Sequence, residues 1–159
     1  SCSARSEQMI AVGSDHGGLE LKDAILAVLA ARGLDVDDYG TDNGDSVDYP
    51  DFAEKVAAAV SRGVVELGIL VCGTGIGMSI VANKFPGVRA ALATDEFMAQ
   101  MAKEHNNANV LVLGGRVLAK DLAVKMVNVW LDSTYEAGRH QRRLDKISRL
   151  EEDVRAGKF

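Results

Sequence analysis

A chain of 159 residues, 47% hydrophobic, 26% charged and 5% aromatic, is long enough to close one core without disulfide or metal staples. Its net charge of −5 argues against a nucleic-acid partner, and no apolar run reaches the roughly 18 residues that a membrane span needs. The two cysteines, Cys2 and Cys72, form neither a disulfide framework nor a metal-ligand spacing, which points to reduced thiols and a cytoplasmic protein.

Residues 1–8 are polar, lack the apolar stretch of a leader, and read as a disordered extension or cloning remnant. Residues 9–13 form an apolar run ending in glycine, the pattern of a buried strand. Leu21, Ile25, Val28 and Leu29 recur at helical spacing within 19–32, and Gly33 follows as a C-cap. A weaker strand at 36–39 leads into a polar loop at 40–48. Pro50 suits a first helical turn, and an alanine-rich helix is expected over 52–62. A third strand, 67–71, runs into Cys72, and the helix after the glycine loop stops near Pro86 and Gly87. Then come a strand at 88–93, a helix from Asp95 to about His105, a strand at 109–113 and a helix at 120–131. After a polar break at 132–134, a last helix runs over about 138–154.

Five strands alternating with helices predict a three-layer α/β domain over 9–155. It is Rossmann-like, with a five-stranded parallel sheet, helices on both faces and right-handed crossovers. Ligands in such sheets sit outside the carboxyl ends of the strands. The chemical residues are expected there: Asp15 and His16 after strand one, Cys72 to Gly77 after strand three, His105 and Asn106 before strand five, and Arg116 after it. The last helix is surplus to the sheet. Its narrow stripe of Leu144, Ile147, Leu150 and Val154 is expected to pack on a partner subunit.

Cys72 stands between the apolar strand and Gly73-Thr74-Gly75-Ile76-Gly77, where backbone amides at a helix start can hold an anion or oxyanion. A thiol in that position can serve as base or nucleophile, although a single cysteine is more often a small buried hydrophobe. The loop is an imperfect phosphate cradle: Met78 replaces the third glycine of a dinucleotide fingerprint, and no P-loop lysine follows. Asp15 either caps the next helix or meets hydroxyl groups, since a carboxylate is electrostatically wrong for a pyrophosphate. His105 either favours a helix C-terminus or transfers protons. Arg139, His140, Arg142 and Arg143 concentrate cations in an acidic protein; they form a solvated face or a phosphate grip.

Taken together, these stretches resemble the B-type ribose-5-phosphate isomerases, within the wider group of ribose, allose and galactose 6-phosphate isomerases. The resemblance is carried in order by Gly13-Ser14-Asp15-His16, Ser46-Val47-Asp48-Tyr49-Pro50, Gly68 through Ser79, Ala82-Asn83-Lys84, Arg89-Ala90-Ala91, Glu104-His105-Asn106, Asn109-Val110-Leu111, Leu113-Gly114-Gly115-Arg116 and Gly138-Arg139-His140. It implies an aldose-ketose isomerase without cofactor or metal, interconverting ribose 5-phosphate and ribulose 5-phosphate in the pentose phosphate pathway. It makes Cys72 the base, and Gly73, Thr74, Gly75, Ile76 and Gly77 the cradle of the enediolate oxygen. His105, with Thr74 near it, would assist ring opening, and Asn106 would bind sugar oxygens. Asp15 would hold hydroxyls, while His16, Arg116, Arg139 and Arg143 would surround substrate or phosphate. A homodimer, possibly a tetramer, with shared sites is also implied. One branch of the family uses a glutamate base where Met78 stands here, so Cys72 places this chain in the cysteine branch. A six-carbon substrate such as allose 6-phosphate is the alternative within the enzyme class. A non-catalytic nucleotide-binding module is the alternative outside it.

Overall fold

The computed structural model describes residues 9–159, and the extension expected at 1–8 lies outside the described residues. Its strands are β1 (Met9–Ser14), β2 (Asp35–Asp38), β3 (Leu67–Cys72), β4 (Ala90–Leu92) and β5 (Val110–Gly114). All pair parallel, in the order β2-β1-β3-β5-β4. Between them run α1 (Leu19–Ala31), α2 (Tyr49–Ser61), α3 (Ile76–Ala82) and α4 (Glu96–Glu104), followed by α5 (Lys120–Asp132) and α6 (Arg139–Arg155). The expected α/β architecture is therefore present. Among the described residues, no helix is long and apolar enough to cross a membrane.

The sheet is buried on both faces because alternate strand residues supply two separate cores. Ile10, Val12, Ile69, Val71, Leu111 and Leu113 point to one side, where Ile25 and Leu29 of α1 and Met126 and Trp130 of α5 meet them. Ala11, Leu70, Cys72, Val110 and Val112 point to the other, against Val56 of α2 and Met78 of α3. Cys72 thus continues an apolar face up to the edge of the sheet. Chain order reverses between β1 and β3: β2 lies on one side of the pair, and the later strands β4 and β5 lie on the other. That switch point opens a crevice at the carboxyl ends of these two strands.

Three local differences from the sequence reading have clear causes. The fourth strand is shorter than 88–93 because the Arg89 amide donates to the Asn109 side chain at 2.7 Å instead of joining a ladder. The second helix starts earlier, at Tyr49, with Pro50 in its first turn. A 3-10 turn, His16–Gly18, fills the space between β1 and α1 because the Asp15 carboxylate accepts the Gly17 amide at 2.9 Å.

A buried ammonium fixes the turn beside this crevice. Lys22 of α1 donates to Asp38 Oδ1 at 2.8 Å, Asp38 Oδ2 at 3.0 Å and the Thr41 carbonyl at 2.5 Å. The Thr41 amide in turn donates to Ser14 O at 2.7 Å, and the Ser14 amide to Gly40 O at 2.6 Å. The last residue of β1 is thereby tied to the polar loop. Lys22→Met leaves the Thr41 carbonyl and the half-exposed Asp38 without their partner. Equilibrium denaturation is expected to show a loss of about 2–3 kcal/mol; an unchanged midpoint would remove the ammonium from the account.

Candidate active site

The crevice is built from three loops that touch one another. The Asp15 amide donates to Val71 O at 3.2 Å, and the Gly115 amide donates to Cys72 O at 2.7 Å, so the loops after β1 and β5 are both pinned to β3. Gly17 packs on the third loop so closely that a Cβ there would stand 3.2 Å from the Gly73 amide nitrogen. Asp15 is buried, with Oδ1 engaged by the Gly17 amide and no protein hydrogen bond on Oδ2 among the described residues. It is a cap, yet one oxygen remains for a ligand.

Cys72 ends β3, and its sulfur accepts the Gly75 amide at 3.2 Å. That contact requires a sharp reversal, which Gly75 makes at φ +83°. A Cβ at Gly75 would also press on Leu92 at 2.6 Å, so a larger residue would push the loop off the sulfur. The Ile76 amide donates to Thr74 Oγ1 at 3.3 Å, and the first-turn amides of α3, Gly77 among them, have no intrahelical acceptor. Gly77 lies against the Tyr49 ring, where a Cβ would come within 2.5 Å of Cζ. The Arg116 amide donates to Gly73 O at 2.9 Å, and its side chain folds back over Gly73. From the loop between β2 and α2, the Val47 amide donates to His16 Nδ1 at 3.2 Å. An imidazole whose Nδ1 accepts carries its proton on Nε2 when neutral, so His16 presents a donor. Asp15, His16, Cys72, Gly73, Thr74, Gly75, Ile76, Gly77 and Arg116 therefore share one edge of the sheet.

The remaining expected residues do not join them within one chain. His105 closes α4, its amide donating to Met101 O at 2.9 Å, and the exposed Asn106 follows it toward the start of β5. Both belong to the amino-end edge, which corrects the expectation that they sit with the carboxyl ends. The five residues of β5 separate the two edges by about 16 Å at the usual rise per residue. The turn after α5 returns to the same edge, where the Glu136 amide donates to Glu104 O at 3.0 Å. There the buried His140 stacks on His105, with centroids 4.2 Å apart and planes 17° from parallel. Arg139 and Arg143 are exposed one turn apart at the start of α6, and neither forms an ion pair among the described residues.

His105, Glu136 and His140 offer three ligand atoms within 4.8 Å of one another. Near-parallel rings send their nitrogen lone pairs side by side, whereas coordination at about 2.0 Å needs them to converge. The cluster is therefore better suited to passing and holding protons than to gripping a metal. Sequence reasoning assigned no role to three contributors to these edges. Tyr49 and Val47 entered only as part of the stretch Ser46-Val47-Asp48-Tyr49-Pro50, and Glu136 lies between the polar break at 132–134 and the last helix.

Comparison with known proteins identifies the family. The family model described as Ribose/Galactose Isomerase matches residues 10–147. The chain is 48% identical to ribose-5-phosphate isomerase B of Escherichia coli, over 90% of this chain and 96% of that protein. Its structure is similar to that of Clostridium thermocellum ribose-5-phosphate isomerase B, with TM-score 0.90, 51% identity and coverage of 92% and 99% of the two chains. It is also similar to Mycoplasma genitalium ribose-5-phosphate isomerase B with bound ribulose-5-phosphate, with TM-score 0.88, 45% identity and coverage of 91% and 97%. The match of the family model over most of the chain, with these identities over nearly the full length of each relative, means that the chain belongs to the ribose/galactose isomerase family.

Proposed function

We propose that this chain is a cytoplasmic aldose-ketose isomerase that interconverts D-ribose 5-phosphate and D-ribulose 5-phosphate through an enediolate, working as a homodimer with shared sites. The observation that carries the reading is Cys72 at the sheet's carboxyl edge, its sulfur already facing the Gly75 amide. Starting from the aldose, Cys72 takes the proton from C2 and returns it to C1 after the enediolate forms. The negative charge that develops on the carbonyl oxygen is met by amides of Gly73 to Gly77. One such preorganised donor typically contributes about 3 kcal/mol to the transition state. Asp15 holds sugar hydroxyls, and Thr74 stands beside the reacting end. The domain comprises residues 9–155, with α6 as its dimerising arm.

Phosphate belongs with the cations. Arg139, His140, Arg142 and Arg143 crowd the start of α6, where the helix dipole is already positive and the first turn itself carries no acidic residue. A bound phosphate relieves that conflict, and paired guanidinium groups match its oxygens. His16 through Nε2–H and Arg116 supply further donors at the opposite edge.

Because one chain keeps these groups about a strand's length from Cys72, the reading joins Cys72 of one subunit to His105, Asn106, Arg139 and Arg143 of its partner. Exposed apolar side chains support such a dimer. Ile76 and Ile80 are 54% and 57% accessible on α3 beside the Cys72 loop, and Ile147, Leu150 and Val154 are exposed along α6. Patches of this kind mark association surfaces.

Cys72→Ala is expected to abolish isomerisation of ribose 5-phosphate while leaving the fold and dimer intact; turnover close to that of the unaltered protein would remove Cys72 as the base. Mixing inactive Cys72→Ala and His105→Asn chains should regenerate one intact site per mixed dimer. Random reassortment should restore about one quarter of the original activity, and no restoration would place both groups in the same subunit. Arg139→Ala and Arg143→Ala should each raise KM for ribose 5-phosphate by about tenfold or more, as expected for lost charge-assisted hydrogen bonds. Comparing rates on ribose 5-phosphate and allose 6-phosphate fixes the sugar's length.

A further inference from the structure

The turn between α5 and α6 brings Glu136 and His140 to His105 with more backbone constraint than a surface loop requires. Its Glu136 amide is fixed to Glu104 O, and the His140 amide donates to Ala137 O at 3.0 Å. Ala137 itself is held at φ +53°, a conformation unfavourable for a residue with a Cβ. The result is a single carboxylate oxygen, Glu136 Oε2, standing 3.8 Å from His105 Nε2 and 3.5 Å from His140 Nε2. His140 is buried and covers one face of the His105 ring. Among the described residues, no hydrogen bond engages either ring nitrogen of His105; the carboxylate faces Nε2 at ion-pair distance, and the ring is partly exposed.

We propose that Glu136 is a positioning residue for His105: it holds the neutral ring in the Nε2–H form and leaves Nδ1 as the proton-exchanging atom, while His140 stops the ring from swinging. The proposal rests on the reading of His105 as the group that opens the furanose. In that step the O1–H proton passes to Nδ1, the C1–O4 electron pair leaves with O4, and the C1=O1 bond forms. The imidazolium then returns the proton to O4. Glu136 faces the far nitrogen of that transient cation, an arrangement in which a carboxylate orients a histidine and stabilises its charged form. The same turn leads directly into Arg139, so the ring-opening and phosphate-holding groups are carried on one constrained segment.

The test uses the full-length dimer. Glu136 is about half exposed, so Glu136→Ala and Glu136→Gln are expected to fold. Nitrogen-15 NMR of the imidazoles reads the His105 tautomer directly. The unaltered protein should show Nε2–H, Glu136→Ala a mixture of tautomers, and Glu136→Gln, which retains an acceptor oxygen, most of the original form. With ribose 5-phosphate, kcat of Glu136→Ala should fall about tenfold, less than the roughly hundredfold that a full ångström of misplacement can cost, with KM little changed; Glu136→Gln should lie between. Unchanged tautomer and kcat in Glu136→Ala overturn the proposal. So does a change confined to KM, which would make the carboxylate only an electrostatic neighbour of the phosphate. Should the unaltered protein fail to isomerise ribose 5-phosphate, the isomerase reading falls, whereas the NMR comparison still decides whether Glu136 sets the tautomer.

Discussion

Two backbone hydrogen bonds hold the reactive edge together: Asp15 N–H to Val71 O and Gly115 N–H to Cys72 O. Each continues a parallel ladder one step past the regular strand, so β1 and β5 deliver their loops directly onto the end of β3. Gly17, Gly18, Gly114 and Gly115 are the consequence. At each, a Cβ would run into the backbone of an adjoining loop or strand, so the loops can close only where side chains are absent. Asp15, His16, Cys72 and Arg116 then meet without any of them having to reach far. The sheet does the positioning, and a site on rigid elements of this kind needs little reorganisation before reaction.

The fold also divides labour between its two edges. The carboxyl edge carries a sulfur, glycine amides and a histidine donor; the amino edge carries a stacked histidine pair, a carboxylate and exposed arginines. On the shared-site reading, each half supplies only part of the chemistry for an aldose phosphate. The exposed apolar residues on α3 and α6 lie beside these two half-sites. On that same reading, burying them against another copy would give association and site assembly the same driving force.

Much of this was readable from the residues. Apolar runs ending in glycine at Gly13, Cys72-Gly73 and Gly114 gave the strands, because a buried parallel sheet needs continuous aliphatic stretches and tight exits. The same pattern exposed Cys72, since a thiol is conspicuous at the end of such a run. What escaped was set by tertiary contact. His105 precedes a strand, and sequence order alone did not convey that this puts it on the edge away from Cys72. Val47 contributes an amide, which any residue possesses, so its type gave no signal. Lys22 gives no signal within its helix, because its role comes from Asp38 and Thr41, distant in sequence, which close around its ammonium. Glu136 has meaning only beside His105 and His140, and that proximity comes from the return of α5 along the sheet.

The length of β5 carries a consequence for how such a protein behaves in solution. A strand of five residues is short, yet it is too long for side chains at its two ends to meet. On the shared-site reading, catalytic competence is then a property of concentration as well as of sequence. Specific activity falls on dilution toward the dimer's dissociation constant even while each subunit stays folded. Substrate, bridging the two halves, would oppose that loss and draw the subunits together.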